Sequence, residues 1–425
     1  MTIDRKTAPD FKTVDTINLI KPERKALENG CHIYYFNSGD QELVRIEWIF
    51  ENLKFDPTKP LLNMAVNTML TDGSNQFTAS EIADRIDFYG AFLQVDYGFD
   101  HSQVTLYTLN KHLRSTLPVV KDILTDSIFP EKELQTFCNN QQQKLQVSLQ
   151  KNDVVARRTF NKAIYGNSIY GYGPELGDYQ NLHRDDLLAH FKQMYQPANC
   201  TMIAAGKIEP DAVDLLSEVF GTSWANTSKG EIDRPQPTAS AEKLLFQEKP
   251  DALQSAIRMG LPLFNRNHPD FPALQVLNTV LGGYFGSRLM ANIREDKGYT
   301  YGIGSGVSSL KTTGAFFLAT EVGADVCKDA VHEIEKEINL LKTDLIPDEE
   351  LSLVRNYMLG SLLGSLENVM SHADKFKNLH FSGLDYDYYD NYINTVKTVT
   401  AEELKILANK YLNLDQFYKV IVGKY

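Results

Sequence analysis

The chain repeats itself. Asn67-Thr68-Met69-Leu70 closes a helix-like apolar stretch and leads into Thr71-Asp72-Gly73-Ser74, and Asn278-Thr279-Val280-Leu281 closes another and leads into Gly282-Gly283. Phe129-Pro130-Glu131-Lys132-Glu133-Leu134 returns as Ile346-Pro347-Asp348-Glu349-Glu350-Leu351. Asp185-Asp186-Leu187 through Met194-Tyr195, with a β-rich run ending Gly206-Lys207, returns as Glu402-Glu403-Leu404 through Lys410-Tyr411 and a run ending Gly423-Lys424. These matches keep their order at a nearly constant spacing along the chain. One match would be noise, but an ordered set predicts a duplication. The 425 residues also exceed what one hydrophobic core usually serves. The stretch from Asn226 to Lys243, NTSKGEIDRPQPTASAEK, reads as an extended, exposed linker. The expected division is a first domain over 1–228, a linker over 229–243 and a second domain over 244–425.

Within each half, helical and strand patterns mix. Val44, Ile46, Trp48 and Phe50 alternate with Arg45, Glu47 and Ile49, a period of two that predicts a half-buried strand. Val104–Leu109 and Ala315–Thr320 are rich in strand-forming residues. Thr78–Tyr89 predicts a helix with a Thr/Ser start, Ile82 and Ile86 on one face, and Gly90 at its end. His112–Ile128 and Asp325–Leu341 predict longer amphipathic helices. The repeated Pro-acid-acid openings place carboxylates where a helix dipole is positive. Strict βαβ alternation is scarce. The expected class is therefore α+β: two similar domains, each a largely antiparallel sheet with helices on one face.

Composition excludes several roles. Apolar residues are 43% and charged residues 23% of the chain, a globular balance. Lys plus Arg is 43 against 55 for Asp plus Glu, a net charge of -12, which disfavours nucleic acid and anionic membrane as partners. Cys31, Cys138, Cys200 and Cys327 are far apart with no CxxC, so buried free thiols are expected rather than a zinc ribbon or a disulfide framework. No stretch approaches a membrane span. The opening MTIDRKTAPDFKTVDTINLI lacks an apolar run and a cleavage site. A cytoplasmic location is expected, or a periplasmic one if a leader was removed.

The segment Leu281–Gly304, LGGYFGSRLMANIREDKGYTYGIG, resembles the second-half signature of the peptidase M16 (insulinase, pitrilysin, processing peptidase) family: a glycine-bearing turn, S-R-L, a helix ending in Arg, then Gly and Tyr. The order of the duplicated segments is also that family's. The resemblance implies two α+β domains of the LuxS and processing-peptidase type facing one another across a cavity. In catalytic members the first half carries H-x-x-E-H on a helix. Two histidines four apart ligate zinc from one helical face, a glutamate activates the bound water, and a later glutamate completes the site. Aligning Thr68–Ser74 with the family's pattern puts Met64, Asn67 and Thr68 on those positions. The downstream glutamate falls best at Gln146, with Gln142 or Gln143 as alternatives. No two of the nine histidines are four residues apart, and 134–150 holds no Asp or Glu. A thioether, a hydroxyl and neutral amides are poor zinc donors, and an amide is no base near neutral pH. No metal is therefore expected in this chain.

The family pattern also implies an Arg and a Tyr seven residues apart, which Arg294 and Tyr301 match, with Tyr299 as the alternative. Their implied role is to donate to a substrate carbonyl or developing oxyanion. Gly282, Gly283 and Arg288 are the expected substrate-binding turn. This turn lacks the GxxxxGK[ST] phosphate pattern. Arg294 alone would read as a solvated helix-end residue in Arg294-Glu295-Asp296-Lys297. Tyr165–Pro174 reads as a packed loop, and His332, His372 and His380 as core or surface residues.

The expected function is a non-catalytic, peptide-binding subunit of a zinc metalloendopeptidase. It would give Arg294 and Tyr301 to the zinc site of an H-x-x-E-H-bearing paralogue in a heterodimer, with homodimers possible when alone. The alternatives are a proteolytically inactive scaffold of the same fold and a self-sufficient enzyme with an unrecognised metal site.

Overall fold

A computed structural model of the chain describes residues 16–222, 224–226 and 230–425. The leader expectation, drawn from the opening residues, falls mostly outside the described residues. So does the stretch 227–229, where the first domain was expected to meet the linker.

Strands β1 (Glu23–Ala26), β2 (His32–Asn37), β3 (Leu43–Glu51), β4 (Phe92–Tyr97), β5 (His101–Leu109) and β6 (Cys200–Gly206) form a six-stranded sheet ordered β1-β2-β6-β3-β5-β4. Strands β7 (Leu244–Glu248), β8 (Gln254–Leu263), β9 (Ile303–Ser309), β10 (Gly314–Gly323) and β11 (Tyr418–Gly423) form a five-stranded sheet ordered β7-β11-β8-β10-β9. With β1 set aside, the second order repeats the first, strand for strand. The parallel pairing falls at the same place in both, β2 with β6 and β7 with β11, and the other pairings are antiparallel. Even the strand ends agree. Gly206 and Gly423 have φ of +142° and +137°. A Cβ on Gly206 would stand 2.2 Å from the Leu43 carbonyl oxygen. The left-handed φ makes glycine the fitting residue at both positions.

The helices of the first half are α1 (Leu62–Thr68), α2 (Ala79–Phe88), α3 (Leu113–Thr125), α4 (Glu131–Ser148), α5 (Asn152–Tyr165), α6 (Leu176–Gln180), α7 (Arg184–Met194) and α8 (Pro210–Gly221). Those of the second are α9 (Phe271–Asn278), α10 (Cys327–Thr343), α11 (Asp348–Gly364), α12 (Val369–Ser382), α13 (Asp387–Thr398) and α14 (Ala401–Tyr411). As its sequence predicts, α2 starts at a Thr78–Glu81 capping box and buries Ile82 and Ile86. It gives way to Gly90 at φ +60°. In the first half, Val44, Ile46, Trp48 and Phe50 of β3 enter a core with α1, α3, α7 and α8. In the second, Met259 and Phe316 do the same with α9, α10, α11 and α14. All four cysteines are free and buried. No helix among the described residues is long and apolar enough to cross a membrane.

The opposite face of each sheet is covered by one helix from the other half. Ala156, Phe160 and Ile164 of α5 pack on Ala256, Tyr418, Val420 and Val422 of the second sheet. Ala373 and Phe376 of α12 pack on Phe36, Ile49, Ile203 and Ala205 of the first. The two helices begin at Asn152 and Val369, the same spacing that separates Phe129-Pro130 from Ile346-Pro347. The exchange is therefore reciprocal and belongs to the duplication. It overturns the half-buried reading of β3, whose inner seven residues are all buried. The Arg45 and Glu47 that read as solvent-facing meet α12 instead. Arg45 reaches Asp374 at 2.8 Å and Glu47 at 3.0 Å, and Lys377 reaches Glu47 at 2.6 Å.

The expected linker is irregular over 230–243 but does not hang free. Arg234 pairs with Asp100 at 3.2 Å and donates to the Asn52 carbonyl at 2.7 Å, and the Ser240 amide donates to the Ala163 carbonyl at 2.7 Å.

Candidate functional site

Helix α1 carries the positions where a metal motif would stand. Met64 and Thr68 are one helical turn apart on its half-buried side. Asn67 is fully buried. Its Nδ2 donates to the Tyr195 hydroxyl at 3.0 Å and to the Gln103 carbonyl at 3.4 Å, so the amide is tied into the core. Burial pushes the Tyr195 phenol well above its ordinary range, which keeps that partner neutral. The Asn67 Oδ1 is buried without a partner among the described residues, yet a neutral amide oxygen is a weak zinc donor and no base. Gln146 lies exposed on α4, and Gln142 donates to the Leu176 carbonyl at 3.0 Å. Thioether, amide and hydroxyl do not fit zinc. Among the described residues no group of three or more His, Cys, Asp or Glu is placed to hold a metal.

The second half presents different chemistry. After α9 the chain makes a π-helical turn, Thr279–Gly283, exposes Phe285 and Gly286, and runs through a second π-helical segment, Met290–Asp296. Gly298, at φ +67°, then turns it back toward β9. This reversal lets the Arg294 Nε donate to the Tyr301 carbonyl at 3.1 Å. The guanidinium also lies over the Phe285 ring, 4.7 Å from its centroid, a cation–π contact. Its one ion pair among the described residues is a loose one, 3.6 Å to Glu295. The Tyr301 side chain is 94% exposed and Phe285 65%. A cation seated on an exposed ring therefore shares one loop with an exposed tyrosine.

The other candidates fare differently. Arg288 forms a two-pronged pair with Glu350 of α11, at 2.8 and 2.7 Å, and so is committed to holding the turn rather than open to substrate. Gly282 is buried, and a Cβ there would stand 2.5 Å from the Ser305 Oγ, so this glycine serves close packing on β9. Gly283 is exposed and borders a cavity of about 440 Å³. Tyr299 packs against the second core, which leaves Tyr301 as the outward tyrosine. Phe285 was not singled out by sequence reasoning. Its signal was an aromatic residue inside a glycine-bearing turn, Gly283-Tyr284-Phe285-Gly286, which packing usually hides.

A duplicated α+β architecture, with a donor-poor helix in one half and an exposed Arg/Tyr loop in the other, defines a metallopeptidase-like protein without metal ligands of its own among the described residues. The family model described as "Peptidase M16 inactive domain" matches residues 181–358. An uncharacterized zinc protease, YmxG, of Bacillus subtilis (strain 168) is 28% identical over 403 residues, covering 92% of this chain and 96% of that protein. A non-peptidase homolog, also called YmxG, of Helicobacter pylori (strain ATCC 700392 / 26695) is 21% identical over 365 residues, covering 84% and 82%. The crystal structure of a peptidase M16 inactive domain from Pseudomonas fluorescens superposes with a TM-score of 0.86 at 19% identity, over 95% of this chain and 98% of that one, a likeness of fold. Over residues 181–358 the chain matches the M16 inactive-domain model, and across nearly its whole length it is similar to proteins of the peptidase M16 type in sequence and in fold.

Proposed function

We propose that this chain is the peptide-binding, non-catalytic half of a two-chain zinc endopeptidase, and that it lends Arg294 and Tyr301 to a partner's zinc site. The observation that carries the reading is the Arg294–Tyr301–Phe285 loop. The guanidinium is fixed by a backbone carbonyl and an aromatic face, its outer edge meets only a loosely paired Glu295, and the tyrosine beside it has almost no contact with its own chain. Fixed donors aimed outward are what a developing oxyanion requires, because they need no reorganisation as charge forms. The partner is a paralogue that carries H-x-x-E-H and holds the zinc. An extended peptide would lie between the two chains and meet these donors beside the metal.

The test is complementation. Mixing this chain with an H-x-x-E-H-bearing partner should give chelator-sensitive cleavage of a peptide that neither chain cleaves alone. Arg294→Ala should lower kcat by about a hundredfold or more, the usual loss for one such donor, and Tyr301→Phe by less. Unchanged activity in the Arg294→Ala mixture removes the reading.

A further inference from the structure

The duplication assigns a counterpart to each of the three α1 positions of the degenerate metal motif. In the second half, Gln275, Asn278 and Thr279 take the places of Met64, Asn67 and Thr68. All three border the cavity of about 440 Å³ in the second half, between α9, α11, α12 and α13. That volume is in the range that holds a small ligand.

Its charge is one-sided. Arg266 and Lys375 line it, and no Asp or Glu does. Among the described residues the Arg266 side chain donates to the Ser309 hydroxyl alone, at 3.4 Å, and neither cation has an ion pair. Burial pushes the Lys375 ammonium down from its ordinary range, opposed by Asp374 and helped by Arg266. Burial outweighs the attraction of the neighbouring Asp374, which is itself paired with Arg45 at 2.8 Å. Two cations with no carboxylate in the lining are unusual in a chain of net charge -12. The remaining wall is aromatic and hydroxylated, with Tyr388, Tyr389 and Tyr392 of α13 facing Phe271 of α9. Burial raises the phenols of Tyr389 and Tyr392 to about 12, so both stay protonated donors.

We propose that this cavity is a carboxylate-recognition subsite. It takes a peptide carboxylate on Arg266 and Lys375 and seats the adjoining apolar side chain against the tyrosine wall. The proposal rests on the peptide-binding reading above and extends it, because Gly283 borders the cavity and belongs to the turn that carries Phe285. Arg supplies directed donors for a carboxylate and Lys a mobile point charge, while the phenols add neutral hydrogen bonds. The carboxylate can come from a peptide's C-terminus or from an acidic side chain.

The test uses the isolated full chain, without partner or zinc, and fluorescence anisotropy with labelled peptides. One peptide ends in phenylalanine as the free acid. A second is its C-terminal amide, and a third is that amide with an internal glutamate before the phenylalanine. The free acid should bind about tenfold more tightly than the amide, the scale of one charge-assisted contact. That preference should vanish in the Arg266→Gln/Lys375→Gln double variant. Lys375→Glu, with a thermal unfolding midpoint near that of the unaltered chain, should also abolish it, because the new carboxylate cancels Arg266, and guards against a folding defect. A third peptide that binds like the acid shows that an acidic side chain serves as well as a C-terminus, and one that binds like the amide confines recognition to the C-terminus. Equal binding of acid and amide, no binding of the acid, or a preference that survives in both variants overturns the proposal. Failed complementation with intact carboxylate discrimination would remove the trans-site role and leave this subsite standing.

Discussion

His190 and His101 show how burial sets chemistry one residue at a time. Burial pushes each imidazole down to about 4, and the His190 Nε2 lies 2.9 Å from the Asn63 Oδ1 within the core. The unfolded chain takes up these protons near pH 6.5, while the folded chain resists until about 4. Their contribution to stability is therefore lost as pH falls across that window. Asp72 works the other way. Burial and the nearby Glu133 raise its carboxyl to about 6, and folding favours its protonated form as pH falls below that value. We expect the thermal midpoint to drop between pH 7 and pH 5, and His190→Gln to shrink that drop. An unchanged drop in this variant would contradict the assignment. Asp72→Asn should raise the midpoint at pH 7 and change it less near pH 4. At this scale the sequence put Arg294 and Tyr301 on one local motif, and one glycine reversal sets the Arg294 side chain on the Tyr301 carbonyl; the role of the pair belongs to the proposal. It could not show that Arg288 is engaged, since its partner Glu350 lies 62 residues away. Nor could it show that Asn67 is bound by Tyr195, 128 residues on.

Among the elements, β3 is the instructive case. Its alternation is legible, but polarity at alternate positions normally signals water. Here the polar side meets α12, and Arg45 and Glu47 are 7% and 2% exposed at their side chains. A charge buried without its partner is expensive, whereas an apolar replacement of the whole pair is often neutral. Glu47 keeps Lys377 at 2.6 Å when Arg45 is lost, so its carboxylate is stranded only when both cations go. Arg45→Met with Lys377→Met should therefore cost about 3 kcal/mol of unfolding free energy. Adding Glu47→Leu should recover most of that loss in urea titrations. If the triple variant is no more stable than the double one, β3 and α12 are not coupled as described. The helices of the second-half signature were legible as helical, but their π-helical character was not, because residue patterns do not distinguish an i→i+5 bond from an i→i+4 bond.

For the whole molecule, the repeat predicts the duplicated sheet order, and it does so from ordered matches rather than from any one element. The crossing of α5 and α12 was not legible. Amphipathic spacing shows that a helix has an apolar face, not which sheet that face covers. The crossing makes each half depend on the other. Phe160 is 1% exposed and packs on the second sheet. Phe160→Ala should cost about 3 to 5 kcal/mol, and hydrogen exchange should quicken first in β8 and β11, not in the sheet of its own half. Faster exchange confined to β2, β3 and β6 would contradict the reciprocal packing. The same interlocking holds the donor-poor α1 and the Arg294 loop in one body. Binding peptide while borrowing a metal requires that α1 be unable to seat zinc. Zinc titration of the purified, metal-stripped chain, followed by quantification of the metal retained, tests this directly. We expect far less than one equivalent retained, unaffected by Met64→Ala or Thr68→Ala. One tightly held zinc per chain, lost in those variants, would contradict it.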